Sequence, residues 1–288
     1  AITDQVPNLM QAVLHGIGEP LINKELPQMI RHLKDRGVYV LFNSNGTMLY
    51  DHIQRQLISS GLDEYRISLD AADAETFEKV RGLPRFDLIV KNTREFVALK
   101  KELGADKPKI SLWLVGLKET LNELPDFVRL AHSMDVREVY LQRLVFFEDH
   151  QQGNGLAGPE QALFAAAGEE EARLVAEADK LAKELGIVFQ ASGAASPEES
   201  LMPRASDQPW SLCRRPWTLM YITANGNVLP CCVAPFSERD YDSIILGNAF
   251  ERPLMDIWND HLYQKFRADL LSPAPPHACQ NCGVRWSL

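Results

Sequence analysis

Four cysteines near the end of the chain have the residue type and spacing of a metal or iron–sulfur site. Cys213 and Cys231 form one widely spaced pair, and Cys279 and Cys282 form a second pair with C-x-x-C spacing. The first 212 residues contain no cysteine. Four thiolates brought to one point are the ligand set of a tetrahedral zinc or of an iron–sulfur cluster. Buried free thiols and disulfides are the alternatives, and a chain without secretory features disfavours disulfides.

Cys232 and two histidines are further candidate ligands. Cys232 directly follows Cys231, and adjacent residues on a strand point to opposite faces. We therefore expect only one of the two to bind a given metal centre, and the other to be a buried thiol or a reserve ligand. His15 is better interpreted as a pocket residue at a strand end, and His277 as an exposed residue.

The segments between the cysteines predict a small domain closed by its metal. Residues 218–232 contain two β-rich runs around Asn225-Gly226, a pair that favours a hairpin turn. An amphipathic helix is predicted over 254–270, and the Pro-rich segment 273–276 returns the chain to the last cysteine pair. Because the ligands come from distant parts of the sequence, we expect this domain to depend on its metal for folding.

The composition is that of an ordinary globular protein. The 288 residues are 45% hydrophobic and 24% charged, which is enough for one large core or for two domains. A formal charge of -9 argues against a nucleic-acid-binding or anionic-membrane-binding surface. No apolar run approaches the roughly 20 residues of a membrane span, so we expect a cytoplasmic setting and no membrane partner.

Strand-like and helix-like stretches alternate before the cysteine-rich part. The predicted strands are a short run at 12–18 and then 38–46, 64–70, 109–116, 137–147 and 186–191. The predicted helices are 25–36, 51–60, 73–80, 86–103, 122–134 and 159–185. Several strands are apolar almost throughout, as in parallel sheets covered on both faces. The pattern predicts a parallel α/β sheet with right-handed crossovers, either open or curled into a barrel.

Polar and glycine residues follow successive predicted strands, where parallel α/β folds bind their ligands. The strand ends are residues 15–21, 43–47, 67–70 and, less clearly, 113–119. Each alone is explained equally well by a tight turn or a capped helix. Their order on successive strands is what favours a common site.

Together, the strand ends and the cysteine spacing resemble the radical S-adenosylmethionine (radical SAM) enzymes that carry a C-terminal auxiliary-cluster domain of the SPASM or Twitch kind. The resemblance implies an α/β fold: a partial (β/α)6 TIM-like barrel missing its first strand, followed by a small α+β cysteine-rich domain. It places the barrel in residues 1–191, a Ser/Ala/Pro-rich linker in 192–209 and the cluster domain in 210–288.

The resemblance implies eight residues that bind S-adenosylmethionine: Gly16, Gly18, Glu19, Pro20, Ser44, Asn45, Ser68 and Asp70. The first four resemble the Gly-Gly-Glu-Pro motif that binds the methionine amino group, although Ile17 stands where glycine is more usual. The next two resemble a Thr-Asn-Gly turn, and the last two a Ser-x-Asp motif near the ribose and carboxylate of the cofactor.

The C-terminal resemblance is the more specific one. The spacing Cys213-x12-Gly226-x4-Cys231 resembles the opening of the SPASM pattern, and Cys279-x2-Cys282 resembles its next pair. It implies one auxiliary 4Fe–4S cluster held by these four cysteines. The family's pattern continues with further cysteines, and this chain stops at residue 288, so we expect either a cut there or a shorter form with one auxiliary cluster.

One departure concerns the catalytic 4Fe–4S cluster. The Cys-x3-Cys-x2-Cys motif that holds it in this family is absent from the sequence. In the family this motif follows the first strand, whereas the first strand here matches the second. We expect the chain to be an N-terminally truncated piece of a longer enzyme, which would supply this cluster. A degenerate relative that has lost the chemistry is the alternative.

The function implied by the resemblance is the modification of a peptide or small molecule by a 5′-deoxyadenosyl radical, with flavodoxin or ferredoxin as electron donor. The isolated chain is expected to be inactive. The alternatives are a barrel protein with a structural zinc site and a catalytically inactive binding module. Candidate substrate-pocket and anion-binding residues are Trp113, Gln142, Arg143, Phe146, Phe147 and Arg81.

Overall fold

The computed structural model describes residues 2–144, 159–163, 167–192, 196–201, 208–237, 241–280 and 282. The chain divides into two compact units. The sheet unit comprises residues 9–142 and 167–201, and the cysteine unit comprises residues 1–8, 143–166 and 202–288. None of the described helices is long and apolar enough to cross a membrane.

Six strands form one sheet: β1 (Gln11–Val13), β2 (Tyr39–Ser44), β3 (Glu64–Ser68), β4 (Lys109–Gly116), β5 (Glu138–Arg143) and β6 (Val188–Ala191). Their order in the sheet follows their order in the sequence. The pairs β1–β2, β2–β3, β3–β4 and β5–β6 are parallel. This confirms the predicted parallel α/β fold, and it brings the carboxyl ends of β1, β2, β3 and β4 to one edge.

The helices of the sheet unit are α1 (Leu26–Lys34), α2 (Asp51–Ser60), α3 (Ala74–Arg81), α4 (Phe86–Glu102), α5 (Leu124–Ser133) and α6 (Glu169–Glu184). Local signals set their limits. The Asp73 carboxylate accepts hydrogen bonds from the N–H groups of Glu75 and Thr76 and so begins α3. Residues at helical spacing on α1, Leu26, Ile30 and Leu33, bury its apolar side.

One face of the sheet packs against helices. Tyr65 on β3 is fully buried, and its ring makes edge contacts with Phe42 of β2 and Phe96 of α4 at centroid distances of 5.4 and 5.6 Å. Edge-to-face contacts of this kind add to the free energy gained by burying the rings. The alternation of strand side chains therefore sends the residues between them to the other face.

That other face, called the polar face below, carries hydrophilic and aromatic side chains on β2, β3 and β4. Asn43 pairs in register with Arg66, and Arg66 pairs with Ser111. One step nearer the carboxyl edge, Ser68 pairs with Trp113. Residues in register on neighbouring strands share a face, so these five side chains form one surface.

The cysteine unit contains a three-stranded antiparallel sheet of β7 (Tyr221–Ile222), β8 (Asn227–Leu229) and β9 (Gly247–Asn248). Its helices are α7 (Arg215–Thr218), α8 (Ala234–Ser237), α9 (Leu254–Trp258), α10 (His261–Leu270) and α11 (His277–Gln280). The predicted hairpin is confirmed, because β7 and β8 pair across the Asn225-Gly226 turn.

Gly226 is the residue that makes this hairpin turn fit. Its φ is 86°, in the left-handed region that favours glycine. A Cβ at this position would lie 2.6 Å from both Asn248 Oδ1 and Phe250 Cδ2. The position therefore requires glycine both for its conformation and for space.

The N-terminal residues belong to the core of the cysteine unit. Ile2 and Val6 pack against a buried cluster that includes Ile257. The Gln5 side chain accepts a hydrogen bond from the N–H of Leu254 at 2.7 Å, which satisfies a donor at the start of α9. Contacts between residues far apart in sequence therefore assign these first residues to the cysteine unit.

Two predicted helices differ from the observed ones. The predicted helix 254–270 is two helices, because the Asp260 carboxylate accepts from the N–H of Leu262 and begins α10 as a new helix. The predicted helix 159–185 is a 3₁₀ turn at Pro159–Gln161 and then α6, with residues 164–166 outside the described residues. Residues 145–147 of the predicted strand 137–147, and the predicted pocket residues Phe146 and Phe147, also lie outside the described residues.

Candidate functional site

Glu19 is the centre of the candidate site at the carboxyl edge of the sheet. Its Oε1 accepts from the Ser44 hydroxyl at 2.8 Å and from the N–H of Leu21 at 3.1 Å. Its Oε2 accepts from the N–H of Asn45 at 2.7 Å. The carboxylate therefore ties the turn after β1 to the end of β2. Each carboxylate oxygen has two lone pairs, so Oε2 can also accept from an ammonium group.

The turn that leads to Glu19 presents its backbone to solvent. Gly16, Ile17 and Gly18 are all exposed. Gly18 has a φ of 108°, and no atom lies within 4 Å of the place where a Cβ would stand. Glycine is thus required here for conformation, and the space beside it stays open for a ligand. Pro20 then begins a short 3₁₀ helix over Pro20–Ile22.

Ser44 and Asn45 make the second turn of the site. The Ser44 hydroxyl donates to Glu19 and accepts from the N–H of Gly46. The Asn45 side-chain oxygen accepts from the N–H and the hydroxyl of Thr47, at 2.9 and 2.7 Å. The Ser44 side chain and the Asn45 N–H therefore hold the Glu19 carboxylate, while the Asn45 side chain fixes the turn.

Ser68 and Asp70 follow on the neighbouring strand end but differ in surroundings. Ser68 is partly exposed on the polar face. Asp70 is buried; its Oδ1 accepts from the N–H of Val115 at 2.9 Å, and its Oδ2 pairs with the Arg81 guanidinium. Asp70 therefore joins the ends of β3 and β4 to the end of α3. Arg81, a candidate for binding an anion, is engaged with this carboxylate.

His15 lies directly behind the Glu19 turn. Its Nδ1 accepts a hydrogen bond from the N–H of Asn43 at 2.9 Å. Burial, with a smaller contribution from the positive charge of Arg66, lowers the pKa of His15 from 6.5 to about 4. The imidazole is therefore neutral at pH 7, and its Nδ1 is occupied by the N–H of Asn43.

The four predicted cysteine ligands line one apolar pocket in the cysteine unit. Cys213, Cys231, Cys279 and Cys282 share it with Trp210, Arg215, Phe266 and neighbouring aliphatic residues. Cys213 precedes α7, Cys231 follows β8, and the last pair lies in and after α11. Cys232 is not among the residues lining the pocket, and it is exposed, so the prediction of a buried thiol at this position is wrong.

Burial and their mutual proximity raise the pKa of these thiols. Burial, followed by the neighbouring Cys282 and Cys232, raises the pKa of Cys231 to about 12. Burial also raises the pKa of Cys279, to which Cys231, Cys282 and Cys213 contribute. Without a bound cation these groups stay protonated at neutral pH and are poor nucleophiles. A bound metal centre would supply the positive charge that deprotonates them, so the donor set fits a thiolate-bound cluster.

Among the residues that the structure describes, no group of three or more His, Cys, Asp or Glu side chains could hold a metal ion. A single tetrahedral zinc would hold its sulfurs only about 3.8 Å apart, from a zinc–sulfur distance of about 2.3 Å. The cysteines line one pocket, but the side chains that the structure describes are not arranged to hold a single metal ion.

Sequence reasoning missed part of the polar face. Arg66, Asn43 and Tyr140 were not among the candidates, although Trp113 was. The Cζ atom of Arg66 lies 4.3 Å from the centroid of the Trp113 ring, and that ring stacks on Tyr140 at 3.9 Å. The available signal was the alternation of Glu64, Arg66 and Ser68 with apolar residues, which predicts a polar side for β3.

Two protein families match this chain, one in its N-terminal part and one in its C-terminal part. Residues 4–131 match the radical SAM superfamily, and residues 213–283 match SPASM, an iron–sulfur cluster-binding domain. The first range includes all the strand-end residues described above, and the second includes all four pocket cysteines.

Comparisons with individual proteins cover nearly the whole chain. The tungsten-containing aldehyde ferredoxin oxidoreductase cofactor-modifying protein of Pyrococcus furiosus is 22% identical over 98% of this chain and 76% of the relative. A PqqA peptide cyclase of Xanthomonas euvesicatoria is 22% identical over 96% of this chain and 68% of the relative. Among solved structures, Streptococcus suis SuiB bound to the precursor peptide SuiA has a TM-score of 0.62 at 18% identity, over 96% of this chain. The chain spans 59% of the length of that SuiB chain.

Proposed function

Because the chain belongs to the radical SAM superfamily and carries a SPASM-type iron–sulfur domain, we propose that it binds S-adenosylmethionine at the Glu19 edge and takes part in modifying a peptide. Enzymes of this superfamily use S-adenosylmethionine and 4Fe–4S clusters, which together supply a 5′-deoxyadenosyl radical that abstracts hydrogen. The residues of this chain bind, orient and enclose those groups.

Glu19 carries the proposal for the cofactor. Its carboxylate is fixed by two donors from the end of β2 and by the N–H of Leu21, and it lies beside the exposed backbone of Gly16 and Gly18. A fixed carboxylate binds an ammonium with less loss of conformational freedom than a mobile one. Ser68 would donate to or accept from a ribose hydroxyl, and Asp70 would hold the strand ends in position.

The cysteine pocket would hold the auxiliary cluster. Cys213, Cys231, Cys279 and Cys282 supply four thiolates, which suffices for one 4Fe–4S cluster. Flavodoxin or ferredoxin is the proposed electron donor. The cytoplasm is the proposed setting, because reducing compartments keep cysteine ligands from forming disulfides. The functional boundaries near residues 191 and 210 also stay a prediction.

The peptide substrate is proposed from the relatives that match along almost the whole chain. PqqA peptide cyclase, by its name, acts on a peptide, and SuiB was crystallised with a precursor peptide. The Pyrococcus relative, by its name, modifies a cofactor, so a small molecule is the second candidate. Turnover of a peptide by the holoenzyme would decide between the two.

The first experiment tests cofactor binding through the Glu19 charge. Binding of S-adenosylmethionine to the anaerobically reconstituted chain is measured by equilibrium dialysis for the wild type and for Glu19→Gln. The variant should bind about tenfold or more weakly, because a hydrogen bond to a charged group contributes about 1.5–3 kcal/mol. Glu25→Gln, a change at an exposed glutamate before α1, is the matched control and should bind normally.

A second ligand distinguishes the loss of the ammonium contact from misfolding of the variant. 5′-Methylthioadenosine lacks the amino acid end of the cofactor, so Glu19→Gln should leave its affinity unchanged. If the variant binds S-adenosylmethionine as tightly as the wild type, or loses both ligands together, the proposed role of Glu19 is wrong.

The cluster and the activity of the chain have their own test. Anaerobic reconstitution should give a brown protein with about four iron atoms per chain, whereas a colourless zinc-loaded protein would refute the cluster. The five cysteines of the sequence do not include a Cys-x3-Cys-x2-Cys motif. We therefore propose that these 288 residues alone do not cleave S-adenosylmethionine reductively. Formation of 5′-deoxyadenosine by this chain with dithionite would contradict that proposal.

A further inference from the structure

A guanidinium on the polar face is fixed in place yet still accessible. Arg66 Nε and Nη2 donate to the two carboxylate oxygens of Glu64, at 2.9 and 3.1 Å. The side chain of Arg66 is 22% exposed, whereas that of Glu64 is only 6% exposed. A guanidinium has five N–H groups, and Glu64 takes two of them. The remaining N–H groups can therefore meet a ligand on the accessible side.

Aromatic packing holds this guanidinium from behind. The Trp113 ring lies under Arg66 and stacks on Tyr140 with an interplanar angle of 16°. Trp113 Nε1 donates to the Ser111 hydroxyl at 2.9 Å, and that hydroxyl donates to Glu64 at 3.3 Å. Cation–π contact and hydrogen bonding thus fix both members of the ion pair. Such an arrangement costs little conformational entropy when a ligand binds.

Asn43 lies beside this guanidinium and carries an unpaired acceptor. It is the register partner of Arg66 on the neighbouring strand, about 4.8 Å away across the sheet. Its Oδ1 is buried and accepts no hydrogen bond from any residue that the structure describes. A buried acceptor without a partner lowers stability. Because the residue itself is partly exposed, turning the side-chain amide of Asn43 outward presents this oxygen to a ligand N–H group, which would remove that penalty.

The charges around this position cancel. Lys109 Nζ lies 2.7 Å from Glu138 Oε2 and 3.9 Å from Glu64 Oε1. Arg66 and Lys109 are therefore balanced by Glu64 and Glu138, while the lowered pKa of His15 keeps that neighbour neutral. A carboxylate placed on Arg66 would stand beside the Glu64 carboxylate and be repelled. A neutral polar group meets no such repulsion.

We propose that Arg66 and Asn43 form a recognition site for an amide group of the substrate, either a peptide bond or a glutamine or asparagine side chain. The amide oxygen accepts from Arg66, and the amide N–H donates to Asn43 Oδ1. The site lies two residues, roughly 6.6 Å along β3, from Ser68 at the cofactor edge. It deepens the proposed function and rests on it for its place in catalysis, but its binding chemistry can be measured independently.

The test compares two probes that differ in one group. N-acetylglutamine amide and N-acetylglutamate amide have nearly the same shape, but the first ends in a neutral amide and the second in a carboxylate. Binding is followed by the indole N–H resonance of Trp113 in ¹⁵N-tryptophan-labelled chain, assigned by Trp113→Phe. The glutamine probe should shift this resonance in a saturable manner and bind at least fivefold more tightly than the glutamate probe.

Two variants distinguish recognition from structural support. Arg66→Lys should weaken the glutamine probe at least tenfold, because an ammonium does not reproduce the fixed fork of the guanidinium; Arg55→Lys, an exposed arginine on α2, is its control. Asn43→Leu should weaken the same probe while raising the unfolding midpoint by about 2 °C or more, since it removes the unpaired acceptor. A purely structural asparagine would not show this opposite pair of effects.

The outcomes separate this inference from the proposed function. Equal binding of the two probes, preference for the glutamate probe, or an unmoved Trp113 resonance would overturn the amide site. Unchanged probe affinity in both variants would overturn it as well. S-adenosylmethionine binding is measured in the same samples. If the wild type binds the glutamine probe but not S-adenosylmethionine, the proposed function is refuted and the amide site remains supported.

Discussion

Acidification should destabilise the sheet unit through a single imidazole, that of His15. The group sits partly buried between the Glu19 turn and β2, where its Nδ1 accepts from the N–H of Asn43. Burial and the charge of Arg66 lower its pKa from 6.5 to about 4. Protonation would charge a desolvated ring and remove the acceptor from Asn43. The perturbation of choice is His15→Asn, which keeps a side-chain acceptor and removes the titration.

The size of this loss of stability follows from the pKa values of His15 in the unfolded and folded states. The unfolded state takes up a proton near pH 6.5 and the folded state only near pH 4, so the unfolded chain binds more protons in between. Stability from this group is therefore complete above about pH 6.5 and declines as the pH falls towards 4. The full loss is about 3 kcal/mol, of which about 2 kcal/mol is lost by pH 5.

Urea unfolding of the whole chain between pH 7.5 and 4.5 measures this loss. The carboxylates titrate alike in both proteins. The difference in free energy of unfolding between the wild type and His15→Asn therefore reports the contribution of the imidazole alone. That difference should fall by about 2 kcal/mol from pH 7 to pH 5, whereas His132→Asn, on the exposed side of α5, should track the wild type. NMR titration of His15 gives the folded pKa directly. Parallel pH profiles for wild type and His15→Asn, or a folded pKa above 6, would refute the reasoning.

Three further changes test other parts of the structure. Cys279→Ser should remove most of the iron from the reconstituted chain and unfold the cysteine unit, whereas Cys232→Ser should keep its iron; equal iron contents would contradict the ligand assignment. Gly226→Ala should lower the free energy of unfolding by about 1–3 kcal/mol, because φ is 86° and the Cβ has no space; an unchanged urea midpoint would show otherwise. Asp70→Asn should lower the free energy of unfolding by about 1–3 kcal/mol, because it breaks the ion pair with Arg81. A melting temperature equal to that of the wild type would argue against a positioning role for Asp70.

The elements that local chemistry determines were predictable from the sequence. The helix cap at Asp73, the end of α2 at Gly61 and the Asn225-Gly226 hairpin each depend on a few neighbouring residues. The parallel sheet followed from the alternation of strands and helices. The split of helix 254–270 was missed because its apolar spacing continues across Asp260, whose capping bond only the three-dimensional structure reveals.

The contacts within the site were much less predictable. Glu19 was expected to bind a ligand, but its bonds to Ser44 and Asn45 join residues 25 or more positions apart. Arg81 was expected to be available for an anion, yet it pairs with Asp70 across a loop. Spacing along the chain predicts which face a side chain takes, but not which distant partner it meets there.

The packing of residues 2–8 into the cysteine unit has a consequence for the order of events during synthesis. The sheet unit needs only residues 9–201, so its strands can assemble while the rest of the chain is still on the ribosome. The partner core for Ile2 and Val6, and the N–H that Gln5 accepts, appear only when residue 254 and its neighbours have been made. Residues 2–8 therefore have no partner core until a segment about 250 positions further along the chain has been made. The cysteine unit therefore closes after the sheet unit can form, and cluster insertion would coincide with the moment at which residues 2–8 meet α9.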